Sequence, residues 1–550
     1  MKRLLDILFA WRELEVLRPL GVRGWALVMA VFILAALSLG AEQFATPKLV
    51  GADGYYHTRM ATVMAEEGLG QGFRWTQASV WRDRFADKEF LFHVLLMPFV
   101  ALDDVTAPKV LTVLLMALLA SLLTAMAWRH AWPWPWLWPC MLAGAGVLFH
   151  LRVSLTRPHL LSVLLVVMAA QALLRRHRPL LLGLAVLFPL AYTAAHMLLA
   201  LCLVYGVARL AMRQGFPWRE FALVLGGTVI GLLLHPHREN LVYLWHLQNI
   251  QVVTNAFDRL GALAVEFLPP DGRLLLVDVG PLFLGVLGTG LAFSLLGKKA
   301  SLGTVFLFLA SVAYLFLFLN IRRFVEYWVP FSILFMAAAA KDLLQGFDAK
   351  AWLKKHRVWG GLAIMTFTVV LSGSILRTSL GTQDILSKDS RPRYEMEAAW
   401  LRDHLSKGEQ VFTLWWTSFP FLFHHAPDQH YLVALDPTYM MAWDEGRYRD
   451  WTRIATGQDP LAARHIPSLF SAHWVLAEKQ PNHQGFIAQA RRDKRFWLRF
   501  EGPDAIVFAL PPDPVPLAMA AARQMGAGQV AVLGGLGAIA LELAWTGSLD

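Results

Sequence analysis

Cysteine is almost missing from this chain, with two in 550 residues. Cys140 and Cys202 both fall inside apolar runs, which excludes a disulfide framework and leaves them as small packed apolar side chains. Charge is scarce as well. Asp, Glu, Lys and Arg make up 16% of the residues, against about 25% in soluble domains. Acidic residues are the scarcer sign, 40 against 50 basic ones. A soluble protein cannot hide a composition that is 56% hydrophobic, with a mean hydropathy of +0.46. A cleavable leader is not expected either, because the basic lead before the first apolar run is long. The net charge of +10 belongs to short segments between apolar runs, so no nucleic-acid partner is expected.

What fills the chain instead is apolar runs of a length suited to a membrane core of roughly 30 Å. They predict spans near Trp25–Leu39, Val105–Trp128, Pro135–Phe149, Leu160–Leu174, Leu180–Ala195, Leu198–Met212, Phe221–Leu234, Gly280–Leu296, Leu302–Leu319, Val325–Ala340 and Val358–Leu376. The pair around His196 reads as one broken element or two helices. Basic residues fall in alternate loops: Lys2, Arg3, Arg12, Arg18 and Arg23 before the first span, then Arg129, Arg175 to Arg178, Arg209 to Arg219, Lys298-Lys299, and Lys341 to Arg357. That alternation places the N-terminus in the cytoplasm. The first loop and everything after Leu376 are then external.

The expected architecture is a polytopic α-helical membrane protein of about 11–13 transmembrane helices, followed by an extracytoplasmic α/β domain. Residues 1–376 form the membrane part, with a long first external loop at 41–90. Residues 377–511 form the α/β domain, with an amphipathic helix at Pro392–Leu405 and strands at Gln410–Trp415, His430–Leu435, His473–Ala477 and Ala505–Ala509. Residues 512–550 form a tail in which Gln529–Trp545 reads as a candidate further span.

The external loops are themselves basic. Arg59, Arg74, Arg82, Arg84 and Lys88 lie in the first, Arg152 and Arg157 in the second, Arg238, Arg259 and Arg273 around the fourth, and Arg322-Arg323 in the fifth. Guanidinium groups gathered on one side suit an anionic ligand, since they bind phosphate bidentately and stay charged. Two arginines and Glu326 at a bilayer edge are costly to bury, and intramembrane charge usually marks a site. Solvated loop charge and headgroup snorkelling explain the same residues more plainly.

The densest cluster of polar chemistry is Gly51–Arg59, directly after the first span. Its Asp53, Tyr55, Tyr56, His57 and Arg59 fit an Asp-x-Tyr-Tyr-His-x-Arg pattern. The pattern resembles the first external loop of oligosaccharyltransferase catalytic subunits, and the layout resembles the GT-C class of membrane glycosyltransferases. The resemblance implies a GT-C-like fold, a polyprenyl-phosphate-linked sugar as donor, membrane lipids as surroundings and a glycan, lipid or protein as acceptor. It also implies a bacterial inner membrane, with the C-terminal domain periplasmic. It makes Asp53 the catalytic carboxylate, with an N-cap as the plainer alternative. Asp87 and Glu89, in the run Trp81–Glu89, are further catalytic candidates, with a surface turn paired to Arg84 and Lys88 as their alternative. Tyr55, Tyr56, His57 and Arg59 are the binding candidates of the motif.

The chain departs from the family elsewhere. An acidic pair belongs in the second external loop, and Leu155-Thr156-Arg157-Pro158-His159 stands there instead. Arg157 and His159 suit a phosphate. Acidic residues are sparse for a divalent cation, which needs several oxygen ligands; such a cation stays open as an alternative, with Asp53 and His57 as its ligands. The His235-Pro236-His237 step adds His237 as a binding candidate. An arginine near Arg322 or Arg323 meets the lipid phosphate in the family. Trp415-Trp416 resembles the family's Trp-Trp-Asp acceptor motif without its aspartate, so an asparagine acceptor is not expected. The neighbouring Leu435–Tyr439 offers a polar pocket. The resulting expectation is an inverting sugar transferase. A lipid-linked polymer ligase, a phosphoglycosyl-type transferase, and a non-catalytic lipid-linked glycan binder, flippase or transporter remain alternatives.

Overall fold

The computed structural model describes residues 19–251, 265–388 and 393–510. The basic residues before 19, Arg259 and the candidate span at Gln529–Trp545 lie outside the described residues, as does the start of the helix expected from Pro392.

Apolar helices dominate the first two thirds of the chain, because a backbone in hydrocarbon must satisfy its own hydrogen bonds. They begin with α1 (Gly21–Gln43), the loop helices α2 (Asp53–Glu67) and α3 (Phe90–Val100), and α4 (Thr106–Arg129). The run expected to span at Pro135–Phe149 is instead divided into α5 (Leu137–Ala143) and α6 (Val147–Val153). Gly146 breaks it with φ +110°, a conformation that favours glycine. The Asp278 carboxylate then accepts the N–H groups of Val147 and Leu148, both at 2.8 Å. Next come α7 (His159–Leu174), α8 (Arg178–Ala191) and α9 (His196–Ala211), so the pair around His196 is two helices.

After these, α10 (Trp218–Leu234) meets α11 (Arg238–His246) at a break of 120°. Pro236 sits in that break and has no N–H to continue a helix. The membrane part closes with α12 (Gly280–Leu296), α13 (Leu302–Asn320), α14 (Val325–Leu343), the short α15 (Ala349–Lys355) and α16 (Arg357–Lys388). Among the described residues five helices are long and apolar enough to cross a membrane, six if the bent pair counts as one span. Five further apolar helices are shorter, 10–17 residues. The last long helix does not end at Leu376 but continues to Lys388.

Beyond it lies a four-stranded sheet. Its strands are β1 (Val411–Thr413), β2 (Trp474–Glu478), β3 (Trp497–Glu501) and β4 (Ala505–Ala509), in the order β1-β2-β4-β3. β1 and β2 run parallel, while β4 is antiparallel to both β2 and β3. The helices α17 (Glu395–His404), α18 (Phe419–His425), α19 (Thr438–Trp443), α20 (Glu445–Ala455), α21 (Ala462–Phe470) and α22 (Gln484–Arg492) complete the domain. The segment expected as a strand at His430–Leu435 is not one. It forms only single bridges, His430 to Gln410 and Tyr431 to Thr76, because it is caught between β1 and the first loop rather than within the sheet.

Two apolar cores result. One joins the membrane helices. The other unites the first loop (Leu49–Ala86), part of α11 and the sheet domain. The Trp75 indole N–H donates to the carbonyl of Pro427 at 2.7 Å, and Tyr431 N–H to the carbonyl of Trp75 at 2.7 Å. The first loop is thus packed as part of the sheet domain.

Candidate active site

Asp53 opens α2 without capping it. Ala52 is the N-cap position and makes no side-chain cap bond. The Asp53 carboxylate reaches Arg157 instead, Oδ2 to Nη2 at 2.9 Å. Arg157 stands on the turn between α6 and α7, and its Nη1 donates to Glu266 Oε2 at 3.0 Å. Glu266 also receives a hydrogen bond from Arg152 and lies 3.8 Å from Arg323. Arg152 reaches on to Glu326 at 2.6 Å through its Nε, and Arg323 donates to the Tyr192 hydroxyl at 2.8 Å. Guanidinium and carboxylate groups therefore alternate from α2, through Arg157, Arg152 and Glu266, to the start of α14. Burial raises the Glu266 carboxyl, but Arg157, Arg152 and Arg323 outweigh it and hold this group well below the usual carboxylate range.

This network borders a cavity of about 840 Å³. Asp53, His57, Lys88, Glu89, Arg157 and His159 line its polar wall, with Glu266 and Arg323 beside them. Trp416, Asp436 and Tyr439 close it on the side of the sheet domain. Its lining also includes apolar side chains from α9 (Leu201, Val204) and α13 (Ala310, Ala313, Leu317). Lys88 and Glu89 pair at 3.1 Å in a buried position. Burial raises the Glu89 carboxyl above its ordinary value, with Lys88 opposing. Burial likewise raises Asp436, against the Thr438 hydrogen bond.

The remaining expected site residues lie elsewhere. Tyr55 and Tyr56 do not line the cavity. Tyr55 packs on Phe421, His424 and His425, and Tyr56 on Trp81 and Phe423, so both join the first loop to the sheet domain. Arg59 lies 4.0 Å from Glu66. Asp87 is buried rather than part of a surface turn, with its Oδ2 2.7 Å from His93 Nδ1. Burial pushes the Asp87 carboxyl up, but His93, together with His237 and His235, more than offsets this and it ends below its ordinary value. His237 accepts the Asp87 N–H at 3.4 Å and bonds the Gln71 carbonyl at 2.9 Å. Arg322 donates to the carbonyl of Pro269 at 3.1 Å, leaving Arg323 as the member of the pair on the cavity wall. Trp415 stacks on Trp416, which alone of the two lines the cavity.

The donor set does not fit a metal held by Asp53 and His57. Asp53 is engaged by Arg157, and His57 Nδ1 by His93 Nε2 at 2.8 Å. Among the described residues no group of three His, Cys, Asp or Glu side chains is placed to hold a metal ion. Guanidinium N–H groups in that position suit an anion.

Sequence reasoning overlooked Glu266, Tyr192 and His93. Glu266, between Val265 and Phe267, carried a signal, because a lone carboxylate in an apolar stretch is costly to bury without a cation. His93 is a lone histidine in the apolar α3, and Tyr192 follows the end of α8 with nothing in its sequence context to mark it.

No protein-family model and no curated protein sequence matches the chain. Solved structures do. The apo oligosaccharyltransferase of Archaeoglobus fulgidus is similar with a TM-score of 0.59 and 12% identity, over 88% of this chain and 74% of that one. The archaeal oligosaccharyltransferase AglB from the same organism, in complex with an inhibitory peptide and a dolichol-phosphate, gives a TM-score of 0.54 at 13% identity, over 88% and 74%. ArnT from Cupriavidus metallidurans bound to undecaprenyl phosphate gives 0.53 at 13% identity, over 90% of this chain and 100% of that one. At such identities the likeness is one of fold, and it runs through most of the chain rather than through the first-loop motif alone.

Proposed function

We propose that this chain is an inverting GT-C glycosyltransferase that takes a sugar from a polyprenyl-phosphate donor and passes it to an acceptor on the extracytoplasmic face. The observation that carries the reading is the lining of the cavity. One space is lined both by apolar side chains of α9 and α13 and by Arg323, Arg157 and Asp53. A prenyl chain suits the apolar lining and a phosphate suits the guanidinium groups. Lipid-linked phosphates in the structures of AglB and ArnT lend weight to that class of donor.

In this reading the donor phosphate lies against Arg323 and Arg157, with the sugar C1 turned toward Asp53. The acceptor enters beneath Trp416, Asp436 and Tyr439, and Asp53 takes a hydrogen bond from its hydroxyl or amine. As the C1–O bond breaks, charge grows on the phosphate, where fixed guanidinium dipoles stabilise it most. The N-terminus is cytoplasmic, the membrane is a bacterial inner membrane, and the sheet domain faces the periplasm. A flippase or transporter would place charge along the middle of its spans. Here the ionisable groups of the cavity, Asp53, Lys88, Glu89, Arg157, Glu266 and Arg323, lie in loops, in turns or at the end of a helix, which favours surface chemistry.

Lipids co-purifying with wild-type protein and with Arg323→Ala test the donor assignment by mass spectrometry. A polyprenyl phosphate or its glycoside retained by the first and lost from the second is expected. Equal retention by both would sink the phosphate role. Asp53→Ala separates the enzyme from a binder: it should keep the lipid and lose transfer.

A further inference from the structure

Three side chains of the first loop form a file that ends on the cavity wall. Asp87, His93 and His57 are almost wholly buried, at 1%, 0% and 3% exposure. Asp87 Oδ2 lies 2.7 Å from His93 Nδ1, and His93 Nε2 lies 2.8 Å from His57 Nδ1. The Asp87 backbone is pinned on both sides of its Cα, its N–H by His237 and its carbonyl by His235 at 2.9 Å. Only His57 of the three reaches the cavity, one helical turn after Asp53.

With Asp87 ionised and both rings neutral, the carboxylate end orders the protons along this file. Ionised Asp87 has no proton to give, so His93 donates from Nδ1. A neutral imidazole carries one N–H, so His93 Nε2 is an acceptor and His57 must donate from Nδ1. His57 Nε2 is then a bare lone pair, and among the described residues it makes no hydrogen bond. Burial, then the neighbouring His93, Arg157, Lys88 and His159, hold the His57 ring well below the ordinary imidazole range.

We propose that His57 is the base that removes the acceptor's proton, and that His93 and Asp87 are positioning residues that lock it in the required tautomer. The proposal rests on the transferase reading and adds the group that takes the proton. The acceptor oxygen or nitrogen forms a bond to the sugar C1. The C1–O bond to phosphate breaks, and its electron pair stays on the phosphate oxygen. The acceptor's proton passes to His57 Nε2, and Asp87 offsets the new charge through His93. Asp53 orients the acceptor and Arg157 faces the leaving group. A buried carboxylate acting through an imidazole in this way controls tautomer as well as charge.

Diethyl pyrocarbonate acylates an imidazole nitrogen that is both reachable and unprotonated, so it reads the tautomer without any transfer assay. Full-length protein in detergent near neutral pH is labelled and its peptides are weighed. Wild type should carry the label on His57 and none on His93. In Asp87→Asn the amide donates to His93 Nδ1, the His93 proton moves to Nε2, and His57 is turned to Nε2–H. Labelling of His57 should then fall by about tenfold or more, and transfer with it. His93→Phe, which leaves His57 without its tautomer partner, should lower the labelling in the same direction. Retained undecaprenyl phosphate shows that either variant is folded. An unlabelled His57 in wild type, or equal labelling in folded wild type and Asp87→Asn, overturns the proposal. Failure of the transferase reading shows separately, as transfer undiminished in Asp53→Ala.

Discussion

Asp53 and His57 stand four residues apart on one face of α2, both reach the same cavity, and each is held by a different partner. Arg157 meets Asp53 at 2.9 Å, and His93 meets His57 at 2.8 Å. One turn of helix thus presents a carboxylate and an imidazole side by side, with their orientations set independently. Removing the carboxylate should cost transfer without unfolding the helix, because Asp53 does not cap it. Asp53→Ala is expected to lower the transfer rate by roughly 10²–10⁴-fold, with lipid retention unchanged.

The two arginines at the start of α14 should behave differently. Arg323 lines the cavity and bonds Tyr192, whereas Arg322 is turned to the carbonyl of Pro269. Arg323→Ala should weaken binding of undecaprenyl phosphate by about tenfold or more, as expected for a lost charge-assisted hydrogen bond. Arg322→Ala should leave it within about twofold, since its guanidinium is turned to Pro269 and does not line the cavity. Equal losses from the two would contradict this geometry.

A fixed guanidinium stands between two carboxylates, Asp53 and Glu266. With that charge supplied by the chain, transfer should persist in a large excess of chelator, within about twofold of the untreated rate. Abolition by chelator, with recovery on adding a divalent cation, would refute the assignment.

Glu478 sets a pH dependence in the sheet domain. It accepts the N–H groups of Leu414 and Trp415 and the Ser418 hydroxyl, at 2.9, 3.2 and 2.6 Å. Burial nevertheless raises its carboxyl from 4.5 to about 8. Between those two values the folded state binds more protons than the unfolded one, so stability falls as pH rises through the window and levels off above it. The thermal midpoint should drop across this range, and Glu478→Gln should flatten the slope.

Tyr55 tests the joint between the first loop and the sheet domain. Its ring lies 4.9 Å from Phe421 and 5.2 Å from His424, centroid to centroid. Tyr55→Ala should destabilise the folded chain by about 3–5 kcal/mol, the usual cost of truncating a large buried aromatic. A thermal midpoint unchanged from wild type would show that the joint is held elsewhere.

Much of this arrangement is legible in the sequence, for identifiable reasons. The apolar runs predict the long helices because backbone in hydrocarbon has few options. The first-loop motif is visible because so many polar groups at a membrane exit are unusual. Arg157 stands out as a basic residue where the resemblance leads one to expect an acidic pair. The division between α5 and α6 is hidden, because it depends on Gly146 adopting a positive φ and on Asp278, far along the chain, holding the next two N–H groups. β3 escapes notice because it is an exposed edge strand, Trp497–Glu501, with little apolar alternation. Tyr55 and Tyr56 suggest substrate contact by their company, yet their rings are taken up by packing against the sheet domain. Glu266 matters through Arg152 and Arg157, more than 100 residues away, and His93 through His57, 36 residues away, which local patterning does not reveal.

The apolar core shared by the first loop and the sheet domain has a consequence for biosynthesis. Trp75 and Pro427, joined by a hydrogen bond, are 352 residues apart. At a synthesis rate of about 5–20 residues per second, roughly 20–70 s separate the emergence of the two partners. During that interval the membrane helices can assemble while the wall formed by Trp416, Asp436 and Tyr439 does not yet exist. A ribosome that stalls late leaves a lipid-accessible chamber with no lid, and the chain is competent only once its C-terminal quarter has arrived. Quality control has a simple criterion to read here, the exposed aromatic face of the first loop that only a finished chain can cover.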